Sequence, residues 1–217
     1  NYPVALLLLS LIICSYTFFG GLSAVVYTDT LQAVFIILVA IVLCYFTFSS
    51  PEINGFSGLL TLDSQLPEGS RKMNLYLPTN HPDLPVSGVF TGLILLHFFY
   101  WITNQYLVQR VLAAKSDDAA KYGVMVAGLL KLGIPFVTIA TGVAAAHLLN
   151  IKYAGQKILP DDAFLYLVNA VIPAGFGLIG LLISGVLAST FSTIDSMMNS
   201  ATTLFCIDIY QYLQDFH

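Results

Sequence analysis

Charged side chains are scarce in this chain. Asp, Glu, Lys and Arg make up 9% of its 217 residues, against about 25% in a soluble domain. That shortage excludes an ordinary water-facing globular surface. With 57% hydrophobic residues gathered in long runs, the chain reads as an all-α membrane protein with several spans. Cysteine is scarce as well. Cys14, Cys44 and Cys206 lie far apart at no metal-ligand spacing, which excludes a disulfide frame and a thiolate metal centre. They read as small apolar residues. Basic charge is short too: 8 Lys and Arg against 12 Asp and Glu, a net charge of −4. With no basic tail, the chain has no footprint for nucleic acid. No secretory leader pattern is visible. Asn1 lies close to an apolar run and His217 follows another, so the chain is expected to be part of a longer polypeptide.

What is there divides into about five transmembrane helices. The first run covers about 3–19. Gly20-Gly21 interrupts it, and a second run follows over 22–48, so these two are expected to form an antiparallel hairpin. A polar stretch over 49–85 holds Pro51, Pro67, Pro78, Pro82 and Pro85; it reads as an external loop with short surface helices. The third span covers about 86–107. A charged link from Arg110 to Lys121 leads to the fourth span, about 122–149. A second external loop over 150–174 includes room for a short helix. The fifth span runs from 175 to 206. The whole of 1–217 reads as one fragment of a single membrane domain, multi-pass and surrounded by lipid. Arg110, Lys115 and Lys121 lie on one side of it and Arg71, Lys72, Lys152 and Lys157 on the other, so charge counting leaves the orientation open.

The few polar residues inside the spans carry the functional signal. Lys131 interrupts an uncharged run, roughly 13 Å from its near end at about 1.5 Å per residue. An ammonium there costs anywhere from ~3 to ~10 kcal/mol, so it belongs on a solute or ion pathway. Asp29 and Asp195 stand in two other apolar segments. Ser189, Ser192, Thr193 and Ser196 recur at i, i+3, i+4 and i+7, one helical stripe. Their hydroxyls and carbonyls suit a small desolvated cation. They equally suit self-satisfied hydroxyls bonded four residues back, or helix packing. Asp195 adds a carboxylate to that stripe, for a cation, for a proton, or for a hydrogen bond between helices as the neutral acid. In the third span His97, Trp101 and Asn104 share a face, flanked by Tyr100 and Gln105. Aromatic faces beside amides suit a sugar, which offers C–H faces to stack and hydroxyls to bond; an interfacial aromatic belt is the other reading. Asp29 lies early in its span, where an acid at the membrane–water boundary is unremarkable.

Several of these residues form recognisable strings. Gly20-Gly21-Leu22-Ser23-Ala24-Val25-Val26-Tyr27-Thr28-Asp29 is one. Asn104-Gln105-Tyr106 followed by Gln109-Arg110 and Ala113-Ala114-Lys115-Ser116 is another. Leu130-Lys131-Leu132, Asn199-Ser200-Ala201-Thr202-Thr203, Asp208-Ile209-Tyr210 and the loop string His81-Pro82-Asp83-Leu84-Pro85 follow in order. Together they resemble the sodium/solute symporter family, nearest to its bacterial sodium–glucose and sodium–galactose branch.

The resemblance implies part of an inverted-repeat, five-plus-five transporter fold, with this chain covering core helices four to eight. The partner for most of the chain is then the remainder of the same transporter polypeptide. It implies Na+ as the coupling ion, with Ser192 and Thr193 as hydroxyl ligands and Ser189 as a carbonyl ligand. Asn104 and Lys131 fall at sugar-bonding positions, beside Trp101 and Gln105. Tyr106 falls at the aromatic that closes the sugar site. Asp29 falls at an acid of cation coupling, with Asp195 and Ser196 at the hydroxyl positions of a second sodium. An acid at 195 departs from the sugar-transporter pattern. The implied function is sodium-coupled symport of a sugar or polyol, without enzymatic activity, in the plasma (cell inner) membrane. The alternatives are the same fold carrying a sialic-acid-like or monocarboxylate anion and, remotely, an intramembrane aspartyl protease on Asp29 and Asp195, whose signature motifs are missing.

Overall fold

Long apolar runs become helices because, in lipid, a helix alone satisfies every backbone group within its own segment. The computed structural model describes residues 2–74, 78–79, 81, 85–173, 175 and 177–215. Part of the His81–Pro85 string therefore lies outside the described residues. No strand occurs among the residues described. Four helices are long and apolar enough to cross a membrane.

The first helix, α1, covers Tyr2–Phe48 in 47 residues. At about 1.5 Å per residue it would be roughly 70 Å long if straight, more than twice the hydrocarbon thickness of about 30 Å. It is not straight. Gly21 has φ 54° and ψ −153°, a backbone that a side chain would oppose. A Cβ on the preceding Gly20 would sit 2.2 Å from that of Ala24. Tyr16 bonds Asp195 and Asp29 meets Ser196, although a straight helix would hold positions 16 and 29 about 20 Å apart. The helix is therefore sharply kinked at Gly21 into two arms, at the Gly-Gly pair that interrupts the apolar run.

The stretch 49–85 is less superficial than its composition suggests. Its helix α2, Gly55–Ser64, buries Leu59 completely, as is Ile53 just before it. The third span, α3, is Val86–Thr103; two of its turns, Val89–Leu93 and Phe99–Thr103, are widened to π geometry. It ends four residues earlier than the apolar run. Asn104 is extended, with φ −73° and ψ 107°, and a separate helix α4 starts behind it as Gln105–Leu112. Arg110 lies on α4 rather than in a link.

Ser116 opens α5, Asp117–Lys152, its side chain accepting from the backbone of Ala119. Pro135 lies inside that helix, and its buried residues run from Thr141 to Leu149, all beyond the proline. Helix α6, Ala163–Val171, occupies the second loop. Helix α7, Leu178–Gln214, outlasts the expected end at 206 by continuing through a π turn at Phe205–Gln211. It lies close against the second arm of α1: a Cβ on Gly185 would meet Val39 Cγ2 at 2.5 Å.

The apolar core, including Val39, Leu43, Leu59, Leu148 and Leu182, joins α1, α2, α5, α6 and α7 at the loop side. Beside it lies an apolar cavity of about 450 Å³, bordered by Thr141, Ala145, Leu167 and Ser189. Two polar contacts fasten the loops to α5. Asp63 accepts from His147 Nε2 at 3.2 Å and from the backbone N–H groups of Lys72 and Met73 at 2.8 and 3.0 Å. Lys152 reaches Glu52 at 3.4 Å and donates to the Ala170 carbonyl at 2.9 Å. Burial alone would raise the Asp63 pKa, but those two N–H groups and His147 outweigh it and hold the carboxyl below its ordinary 3.8.

Candidate solute and cation site

Asn104 owes its place to the end of α3. Its N–H bonds back to the Phe99 carbonyl at 3.0 Å, five residues earlier, while its own carbonyl accepts from Leu107 and Val108, both at 3.1 Å. It thus closes one helix and opens the next. Nothing in Thr103-Asn104-Gln105 announces a break, since neither Gly nor Pro is present. Irregular backbone at membrane depth is tolerated where it lines a cavity or is buried in protein.

Lys131 reaches the last turn of α3, just before this break. Its ammonium lies 4.4 Å from the Trp101 ring centre and 5.2 Å from that of Tyr100, within cation–π range. Tyr106, on the first turn of α4, meets Tyr100 edge to face at 6.5 Å between ring centres. Of the residues expected around a solute, Trp101, Lys131 and Tyr106 meet through their own rings and that of Tyr100, while Asn104 and Gln105 adjoin them along the chain. Tyr100 belongs with them as the second ring under the ammonium, which spacing alone did not single out. Among the described residues Lys131 has no carboxylate partner. His97 stays outside the group, its Nδ1 against the Leu93 carbonyl of its own helix at 2.7 Å.

The hydroxyl stripe of α7 divides. Ser189 and Thr193 are exposed, and the Thr193 hydroxyl donates to the Ser189 carbonyl at 3.0 Å. Ser192 is half-buried, and its carbonyl accepts from Ser196 at 2.7 Å. Ser196 and Asp195 are buried. Ser189 and Thr193 thus lie on an exposed flank of α7, with Ser192 half-buried beside them.

Ser196 belongs to a second group inside the bundle. Arg110 reaches from α4 with one nitrogen, Nη2, bonded both to Asp29 Oδ2 and to Ser196 Oγ. Ser196 Oγ also lies 3.3 Å from that Asp29 oxygen and 3.3 Å from Asp195 Oδ1. Tyr16, from the first arm of α1, donates to Asp195 Oδ2 at 2.7 Å. Gln109 extends the network to the Ser196 carbonyl at 3.4 Å, and Asn199 donates to Gln109 at 3.2 Å. Asp29 Oδ1 and Arg110 Nε are buried without a partner among the described residues. The two acids are thus brought together, as their span positions suggest, but through Arg110, Ser196 and Tyr16. Arg110 and Tyr16 carried no sequence signal for this: one resembled an interfacial charge, the other a lone aromatic in a span. With Asp29 spent on Arg110 and Asp195 on Tyr16, the pair lacks the mutual facing of an aspartyl protease dyad.

Known proteins of one family resemble the chain over nearly its whole length. The profile of the Sodium:solute symporter family matches residues 1–215. Sodium/glucose cotransporter 1 of Ovis aries is 34% identical over 236 residues, which cover 95% of this chain and 35% of that protein. Sodium/myo-inositol cotransporter 2 of Homo sapiens is 32% identical over 223 residues, 92% of this chain and 32% of that protein. The sodium/glucose cotransporter of Vibrio parahaemolyticus is 31% identical over 220 residues, 94% of this chain and 40% of that protein. The chain spans about a third of the length of the relatives it matches.

Proposed function

Because the chain belongs to the sodium:solute symporter family, we propose that the polypeptide containing it carries a sugar or polyol across the plasma (cell inner) membrane, driven by sodium. The observation that carries this reading is the Lys131 ammonium held over Tyr100 and Trp101, on the turn just before the break at Asn104. Two rings offer stacking faces, and the ammonium and the amide offer hydrogen bonds to hydroxyls. Relatives named for glucose and myo-inositol support the same solute class. The two arms of α1 count as two crossings, which gives five in all.

Sodium would be held on the open flank of α7 by the Ser192 and Thr193 hydroxyls and the Ser189 carbonyl. Asn104 and Lys131 orient solute hydroxyls, Trp101 and Gln105 border them, and Tyr106 closes the site. Asp29, Asp195 and Ser196 mark the place of a second cation. Coupling follows if sodium binds one access state more tightly than the other, so that its occupancy favours solute binding there before the bundle rocks.

The absence of a carboxylate beside Lys131 among the described residues favours one rival, an organic anion as solute. Uptake by the full-length polypeptide in proteoliposomes separates the two. Sodium-driven uptake of a hexose or inositol that other sugars inhibit, and that monocarboxylates and sialic acid do not, is the expected result. Inhibition by the anions alone overturns the sugar assignment, and uptake indifferent to sodium overturns the whole reading.

A further inference from the structure

Lys152 has two acceptors, and the weaker one holds the shorter bond. The residue ends α5. Its ammonium donates to the Ala170 carbonyl at 2.9 Å, in the last turn of α6. That carbonyl is among the last four of its helix, which have no partner within it. A cation there also meets the negative end of the helix dipole. Glu52, four residues beyond the end of α1, stands farther off, with Oε1 at 3.4 Å. Its Oε2 is buried without a partner among the described residues. A carboxylate is a stronger acceptor for an ammonium than a neutral carbonyl is, so Glu52 is an acceptor left half-served.

Little else that is polar holds α6. Among the described residues no other side-chain hydrogen bond or ion pair joins it to a neighbouring element. The remaining contacts are apolar: Leu167 and Val168 are buried, and Tyr166 meets Tyr153 edge to face at 5.0 Å between ring centres. On its inner side α6 forms one wall of the apolar cavity of about 450 Å³. Ala163, Phe164 and Leu167 line it there, opposite Leu149 of α5, Leu43 of α1 and Ser189 of α7.

We propose that α6 is a lid on this cavity and Lys152 its latch, with Glu52 as the acceptor that takes over the ammonium when the lid lifts. Closed, Lys152 fastens the C-terminal end of α6 and leaves Glu52 Oε2 unbonded. Open, the freed ammonium serves both Glu52 oxygens, and that gain offsets the bond lost at Ala170. Two placements of one side chain thus set two positions of a helix, with no bound ion or solute required.

Hydrogen exchange at the α6 amides of the full-length protein, followed by peptide mass spectrometry, tests the latch. It is read without sodium or solute, so its outcome is independent of what the polypeptide carries. Lys152→Met keeps most of the apolar stem and removes the ammonium. Exchange across 163–171 should then quicken about three- to tenfold, as expected for losing a hydrogen bond at a partly exposed site. Glu52→Gln removes the charge that stabilises the open arrangement, so exchange there should slow by about twofold or more. The double variant should match Lys152→Met, because Glu52 acts through Lys152 alone. Exchange across α2, which Asp63 holds, should stay as in the wild type, and a parallel rise there would mean general loosening and overturn the lid. Unchanged α6 exchange in Lys152→Met also overturns the proposal. So does faster exchange in Glu52→Gln, which would make Glu52 a plain contact of the closed arrangement.

Discussion

Each carboxyl oxygen of Asp63 has a donor, whereas Asp29 has donors on one oxygen only. The two residues head the two charge clusters of this molecule. At the loop side, Asp63 collects two backbone N–H groups and a histidine, and the cluster ties α2 to α5. In the bundle, Asp29 shares Arg110 with Ser196 and leaves Oδ1 and Arg110 Nε unpaired among the described residues. A fully bonded buried network rigidifies, and one with unmatched atoms in a native structure calls for an explanation. The contrast sets a fully bonded loop-side cluster against a bundle cluster that is left partly unbonded among the described residues.

The largest expected effect attacks the structural side. Asp63→Ala strands two backbone N–H groups and His147, at about 1–3 kcal/mol for each buried group left unpaired, so the full-length protein should lose roughly 3 kcal/mol of stability. A detergent melting curve reads this directly. Half-saturation by sodium should stay where it is in the wild type, and a shift there would break the division of labour. Next comes Lys131→Ala, which removes the ammonium from its two rings. Solute affinity should fall by roughly 5- to 150-fold, the equivalent of about 1–3 kcal/mol. Wild-type affinity for every sugar and anion tried in a binding titration would take Lys131 out of the solute site.

Much of this layout was legible in the sequence, because lipid enforces it. Long apolar runs announced helices, and Gly20-Gly21 announced the kink in α1. Lys131, Asp29 and Asp195 were visible because ionisable groups in such runs are costly. The break at Asn104 was not, since a helix can end on hydrogen-bond competition without Gly or Pro. The Arg110–Asp29 pairing joins residues 81 positions apart, and neither side chain names its partner. Helix α2 looked like surface because burial of Leu59 and Asp63 depends on α5 being there to receive them.

A smaller effect sharpens the transport side. Ser192→Ala and Thr193→Ala each delete one neutral oxygen from the proposed sodium flank, worth about 1 kcal/mol or several-fold in affinity. The sodium concentration for half-maximal uptake should rise in both, and constancy in both would place sodium elsewhere. The smallest effect concerns acid. The Asp63 carboxyl titrates below its ordinary 3.8 in the folded protein. A depressed carboxyl contributes stability that is complete above the unfolded value and is lost as pH falls through the folded one. The loop-side cluster should therefore contribute constantly from Asp63 between pH 8 and about 5, and weaken only below about 3.8. Hydrogen exchange at the Lys72 and Met73 amides follows this residue by residue, and loss of their protection near pH 6 would contradict it.

Pro135 has a mechanical consequence. Having no N–H, it cannot bond the carbonyl of Lys131 four residues earlier, so α5 is weakest in bending at that point. Beyond the proline the helix is clamped, by its buried residues and by His147 and Lys152; before it, none of residues 117–134 is buried. The joint divides a half fixed by those contacts from a half of about 27 Å that carries Lys131. A tilt of about 10° there would swing the Asp117 end by roughly 5 Å, by lever geometry on that helical rise, and displace Lys131, four residues from the pivot, by only about 1 Å. On the solute role proposed for Lys131, that residue would then move little while the far end of the same helix swings.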